Sequence, residues 1–155
     1  MKVSTIRIYT DGGCSGNPGP GAWAAIIVRN GTETEMAGGE QNTTNNRMEL
    51  TAVIRALEET DRSGPRESDL EVTTDSQYVK KGISEWIKTW VKNGWRNSAK
   101  EPVKNRDLWQ RLLDLSCGRK IAWHWVKGHA SHDHNNRCDA LVQNEIRRLK
   151  RPKER

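Results

Sequence analysis

Apolar and polar residues alternate over positions 5–9, with Ile6 and Ile8 on one face. The pattern stops at Asp11-Gly12-Gly13, which predicts a strand ended by a turn. Residues 16–21 (Gly-Asn-Pro-Gly-Pro-Gly) read as a loop, and the apolar run over 22–28 predicts a buried strand. Asn30-Gly31 then predicts a hairpin into a third strand over 32–38. From Asn46 the period changes: Leu50, Val53, Ile54 and Leu57 follow i, i+3, i+4, i+7, a helical face that closes near 61–65. A strand over 70–74, helices over 76–93 and 105–115 and a last strand over 121–126 follow. A final helix over 133–149 carries Cys138, Leu141, Val142, Ile146 and Leu149 in one stripe. The order βββαβααβα, with the middle helix connecting strands, predicts an α/β fold around a five-stranded mixed sheet.

At 155 residues the chain has room for one core. Its longest apolar run, the seven residues 22–28, falls far short of the roughly 20 of a membrane span, and residues 1–7 lack the apolar core of a signal peptide. Cys14, Cys117 and Cys138 are odd in number and form no Cys-x-x-Cys, so the expectation is a reducing cytoplasm, with a monomer as the default.

The net charge of +6 hides a division. Residues 1–79 carry 7 basic and 12 acidic side chains, residues 80–106 carry 8 and 2, and residues 147–155 carry 6 and 1. Surface charge alone produces such runs. An acidic half beside a basic block also suits carboxylates that hold cations next to a patch that meets a polyanion.

Four acids stand out. Tyr9-Thr10-Asp11-Gly12 and Thr73-Thr74-Asp75-Ser76 both close a strand on Thr-Asp-small, and a parallel β-α-β pairing sets Asp11 and Asp75 side by side at strand C-terminal ends, where α/β folds place ligands. Taken singly, each is a turn former or a helix N-cap. Glu49 has the form of a capping box with Asn46, yet it heads a stripe of Ala52, Val53 and Ala56 that should face the sheet. Asp139 opens the last helix beside Cys138 and Val142. Like charges gathered this closely raise each other's proton affinity unless divalent cations neutralise them, which favours a hard-cation site.

The segments Tyr9-Thr10-Asp11-Gly12, Gly16-Asn17-Pro18-Gly19-Pro20-Gly21, Thr43-Thr44-Asn45-Asn46-Arg47-Met48-Glu49-Leu50, Thr74-Asp75-Ser76-Gln77-Tyr78-Val79, Trp125-Val126-Lys127-Gly128-His129 and Asn135-Asn136-Arg137-Cys138-Asp139 together resemble bacterial type 1 ribonuclease H. The likeness runs in order from about Ile6 to Leu141. It implies the ribonuclease H-like fold, with helices on both faces of the sheet, in a single catalytic domain over 1–149 with a basic handle at about 80–106 and a basic tail over 150–155.

The implied activity is endonucleolytic hydrolysis of the RNA strand of an RNA/DNA hybrid by two-metal-ion catalysis, leaving 5′-phosphate and 3′-hydroxyl ends. Asp11, Glu49, Asp75 and Asp139 would be the catalytic carboxylates and the ligands of two Mg2+ ions, with Mn2+ as a substitute. His129 would carry a proton or aid product release. Gly12, Asn17, Asn45, Asn46, Ser76 and Gln77 would read RNA 2′-hydroxyls. Tyr78, Trp90 and Ser98 would line a DNA-strand channel, and Thr44 and Asn105 a phosphate pocket. Trp86 and Trp90, at i and i+4, also suit helix packing, a reading accepted for Trp86 and doubted for Trp90. Asn42 stands where related proteins often have Arg. A catalytically silent hybrid-binding module would share the handle and groove but should lack an acid, and a DNA strand-transfer domain would not need the Thr-Thr-Asn-Asn groove. His132, His134 and Cys138 lack a fourth ligand at zinc-finger spacing.

Overall fold

The computed structural model describes residues 5–64, 68–126 and 133–151. Five strands form one sheet in the order β3-β2-β1-β4-β5: β1 (Thr5–Cys14), β2 (Gly19–Arg29), β3 (Thr32–Thr43), β4 (Asp69–Thr74) and β5 (Ile121–Trp125). β1, β2 and β3 are antiparallel neighbours, whereas β4 and β5 run parallel to β1, so the sheet is mixed as expected. The β2–β3 turn is Asn30-Gly31 with φ of 51° and 78°, the positive pair that a two-residue hairpin requires.

Two apolar clusters flank the sheet. On one face, α1 (Asn45–Ser63) lays Leu50, Val53, Ile54 and Leu57 on Ile6, Ile8, Leu70 and Val72, joined by Trp109, Leu112 and Leu115 of α4 (Arg106–Ser116). On the other face, α5 (Asp133–Lys150) packs Cys138, Val142 and Ile146 on Ala22, Ala24 and Ile26. Helices therefore cover both faces.

Three local departures from the sequence reading have physical causes. β1 does not turn at Asp11-Gly12-Gly13. It continues to Cys14, because after the parallel pairing with β4 ends at Tyr9 the antiparallel pairing with β2 goes on, Gly12 opposite Trp23 and Gly13 opposite Ala22. The long helix expected over 76–93 is α2 (Gln77–Lys81), a π-helical turn at Gly82–Trp86, and α3 (Ile87–Lys92). Both tryptophans pack: Trp86 meets Tyr78 and Trp90, as expected, and Trp90, against expectation, also packs on the core cluster, its ring 5.5 Å from Trp109.

Gly82 begins the π turn where the helix crosses the fully buried Trp109, and a Cβ there would overlap Trp109 Cη2. Helix propensity alone favours Ala over Gly by about 1 kcal/mol. The ring cannot yield without disturbing the core, so Gly82→Ala is expected to destabilise by about 1–3 kcal/mol. Urea unfolding would show this as a lowered midpoint, and a raised midpoint would sink the argument.

Candidate active site

The three antiparallel strands and the parallel crossover deliver Asp11 and Asp75 to neighbouring positions, and α1 delivers Glu49 to them. Gly12 makes that approach possible. A Cβ on it would lie 2.5 Å from both Glu49 N and Met48 C, so only glycine lets the α1 backbone come this close to β1. The alternative capping box does not form: Thr44 caps α1, its hydroxyl accepting from Arg47 N at 3.3 Å, and Glu49 turns inward as its place on the apolar stripe suggests, 5% exposed. Asp75 is not the cap of α2 either. Ser76 fills that place, accepting from Val79 N at 3.1 Å.

Asp11, Glu49 and Asp75 each offer a carboxylate oxygen, and the three atoms lie within 4.8 Å of one another, the arrangement of a metal site. Burial, then the charges of Asp75 and Asp139, push Asp11 from 3.8 up to about 7. Burial, then Asp11 and Asp75, hold Glu49 well above the usual carboxylate range, although hydrogen bonds from Ser76 and the Gly12 backbone pull the other way. One Glu49 oxygen, Oε1, is buried with no hydrogen-bond partner. Three hard oxygen donors, one with an unused buried lone-pair face, fit a divalent cation. Asp139, exposed on α5, is not in this group of three, yet it is near enough for its charge to raise Asp11.

A cleft of about 340 Å³ opens over the acids, lined also by Gly12, Asn45, Asn46, Ser76, Gln77 and Tyr78. Asn17 stands at its rim, Oδ1 accepting from Asn45 N at 3.1 Å. Thr44 and Asn105 are joined through Arg47, whose Nη1 donates to Asn105 Oδ1 at 3.2 Å and whose fork grips Asp107 at 3.1 and 3.0 Å. Because a guanidinium only donates, Asn105 must turn its oxygen to Arg47, which leaves Nδ2 for Tyr78 Oη at 3.1 Å. Tyr78 Oη also accepts from Trp109 Nε1 at 2.9 Å. With its acceptor sites taken, Tyr78 has only its O–H proton to offer outward, and Thr44 and Asn105 likewise keep a donor free. Such a set suits phosphate oxygens.

Trp90 lies along an aromatic run from Tyr78 through Trp109 to Trp95, and Ser98 is exposed in the loop beyond it. His129 and His132 lie outside the described residues. Two residues that sequence reasoning missed belong to the site: Arg47, and Trp125, whose indole Nε1 donates to the backbone oxygen of Asp75 at 3.1 Å. Arg47 was hidden as one more charge. Its signal is a cation at the third position after a cap residue, on a helix whose other face is apolar.

The RNase H family model matches residues 4–147. Ribonuclease H of Pseudomonas fluorescens is 52% identical over 151 residues, covering 96% of this chain and 98% of that protein. Ribonuclease H of a Chelativorans species is 54% identical over 151 residues, covering 97% and 91%. Among solved structures, LC9-RNase H1, a type 1 RNase H with the type 2 active-site motif, superposes with a TM-score of 0.83 at 28% identity over 97% of this chain and 75% of that one. LC11-RNase H1 in complex with RNA/DNA hybrid superposes at 0.72 and 27% identity over 92% and 97%.

Proposed function

This chain belongs to the RNase H family and is a ribonuclease H, and from that premise we propose that it is an endonuclease for the RNA strand of RNA/DNA hybrids, acting with two divalent cations, Mg2+ or in its place Mn2+, and leaving 5′-phosphate and 3′-hydroxyl ends. The observation that carries the reading is the buried Glu49 carboxylate, one oxygen of it unpartnered, grouped with Asp11 and Asp75 at the strand ends. In this reading Asp11, Glu49, Asp75 and Asp139 hold the ions. When bound, such ions activate a water for in-line attack on the phosphodiester and offset charge on the phosphate and the departing 3′ oxygen.

The remaining work falls to the chain. Ser76 and the Gly12 amide fix the Glu49 carboxylate, and Trp125 fixes the Asp75 backbone. Gly12, Asn17, Asn45, Asn46, Ser76 and Gln77 supply short donors and acceptors for RNA 2′-hydroxyls. Thr44 and Asn105 grip a DNA phosphate, Tyr78, Trp90 and Ser98 line the DNA path, and His129 carries a proton or speeds product release. The 1–149 domain is the catalytic unit, and the tail 150–155 adds sequence-independent attraction to nucleic acid. A cytoplasmic monomer completes the reading. Its three free cysteines suit a reducing compartment, and among the described residues no helix is long and apolar enough to cross a membrane.

The test compares matched RNA/DNA, DNA/DNA and RNA/RNA duplexes in Mg2+, with analysis of the product ends. Only the hybrid should be cut. A DNA strand with a run of several ribonucleotides, paired to DNA, should be cut within the run, and one with a single ribonucleotide should be cut poorly because too few 2′-hydroxyl contacts remain. Efficient cutting at a single ribonucleotide, or of DNA/DNA, would mean that the groove reads something else.

A further inference from the structure

Asp11, Glu49 and Asp75 are pinned by sheet pairing and by the close approach of α1 to β1, but Asp139 is exposed on α5 and owes its place to how that helix is attached. The middle of α5 rests on small residues: Val142 Cγ1 would meet a Cβ on Gly13 at 3.3 Å, and Ile146 shares the cluster with Ala22 and Ala24. Its C-terminal end is tied to β3, where Leu149 lies over Gly39 and its carbonyl accepts from Gln41 Nε2 at 3.2 Å.

The N-terminal third is attached differently, by polar and aromatic contacts. Arg137 forks between Glu33 Oε2 and Glu35 Oε2, each at 2.6 Å. His134 places Nε2 3.0 Å from Glu33 Oε1 and stacks on the Tyr9 ring, centroids 4.2 Å apart and planes 8° from parallel. The Cys138 thiol donates to the Tyr9 carbonyl at 3.4 Å. Glu35 and Tyr9 lie on one row of the sheet, Glu35 paired with Ile26 and Ile26 with Tyr9 across β3, β2 and β1, and Glu33, paired with Val28, stands two residues away on β3. The row ends two residues before Asp11 on β1, and Arg137 and Cys138 immediately precede Asp139 on the helix. Glu33 and Glu35, two apart on a strand, present both carboxylates to one face, which matches the planar fork of an Arg better than a Lys.

The fork is exposed enough that its worth to overall folding is small, since ion pairs of this kind barely register in global stability. Its geometric effect is local and directed at one residue. We propose that Arg137, held by Glu33 and Glu35 and backed by His134 on Tyr9, is a positioning residue that sets the distance of Asp139 from the other three acids. The inference rests on the reading above that Asp139 works in the same centre.

The test uses the full chain. Arg137→Met, and separately Glu33→Gln with Glu35→Gln from the strand side, should each lower kcat about 5- to 20-fold, the scale of a small misplacement of one group. KM for the hybrid should stay within about twofold, the melting temperature should hardly move, and half-saturation should need more Mg2+. Arg137→Lys should recover part of the loss through one of the two carboxylates. In an Asp139→Ala background, Arg137→Met should change neither residual turnover nor the Mn2+ binding isotherm read by calorimetry, because the side chain through which it acts has gone. An equal loss in both backgrounds, or no loss in the first, overturns the clamp while leaving the hydrolase reading intact. An Asp139→Ala variant with wild-type turnover and metal binding overturns the clamp together with the assignment of Asp139, and a wild type that leaves the hybrid uncut overturns the proposed function itself.

Discussion

Asp11→Asn is expected to lose roughly 10³-fold or more in hybrid cleavage, about 4 kcal/mol of transition-state stabilisation, while binding the hybrid nearly as well as the wild type. The substitution keeps the shape of the side chain and deletes one charge from a group of three carboxylates whose oxygens lie within 4.8 Å. What it removes is the affinity of that group for hard cations. Glu49→Gln and Asp75→Asn should behave alike, because each offers one oxygen to the same point. Asp139→Asn should lose less, since its carboxylate stands outside the group of three and an amide oxygen can still coordinate. Steady-state cleavage alongside fluorescence-anisotropy binding separates the two effects. Full turnover by Asp11→Asn, or by the wild type in excess chelator, would defeat the metal-centre assignment.

The acids that carry this prediction were legible in the chain because chemistry and position coincide there. Thr-Asp-small closes the first and fourth strands, and a Glu heads a stripe of small apolar residues. What was not legible is why they meet. Gly12 and Gly13 have the composition of a turn, yet they continue β1, and Gly12 exists for the approach of the α1 backbone, a contact between segments 36 residues apart. Glu49 and Asp75 both fit local capping patterns. Thr44 and Ser76 take those caps instead, which leaves the carboxylates to face each other. A capping motif records only near neighbours, so it cannot tell which of two adjacent candidates the tertiary structure will need elsewhere. The π turn at Gly82–Trp86 was likewise not legible: it begins at Gly82, where the helix lies against Trp109 of another helix. Trp90 was misjudged because spacing along α2 and α3 shows one face of the rod and not what α4 brings to it.

The burial and crowding of carboxylates that suit the proposed cation site make it a burden without cations, and the sign of that burden can be worked out. Stability changes with pH in proportion to the protons bound by the unfolded chain minus those bound by the native one. Unfolded, Asp11 titrates near 3.8; native and metal-free, it is pushed up to about 7. Between those values the native protein holds a proton that the unfolded chain has released. Its contribution to stability therefore falls as pH rises through this window, and the penalty is complete above about pH 7. Glu49 is raised by the same causes and adds in the same direction. Asp107, held low by Arg47, works the opposite way, giving stability above the ordinary carboxylate range that is lost on acidification. Total stability is thus a poor readout, and the informative quantity is the difference between Asp11→Asn and the wild type across pH, in chelator. It should be near zero at pH 4 and grow to on the order of 1–3 kcal/mol by pH 8, with the variant the more stable. For a chain of this size that is about 3–10 °C in melting temperature. Adding Mg2+ or Mn2+ at pH 8 should raise the wild type and close most of the gap, because the ion binds the native state and supplies the charge the acids lack. Equal melting temperatures at pH 8 in chelator, or a gap that widens toward pH 4, would show that Asp11 is neither buried nor crowded as the fold places it.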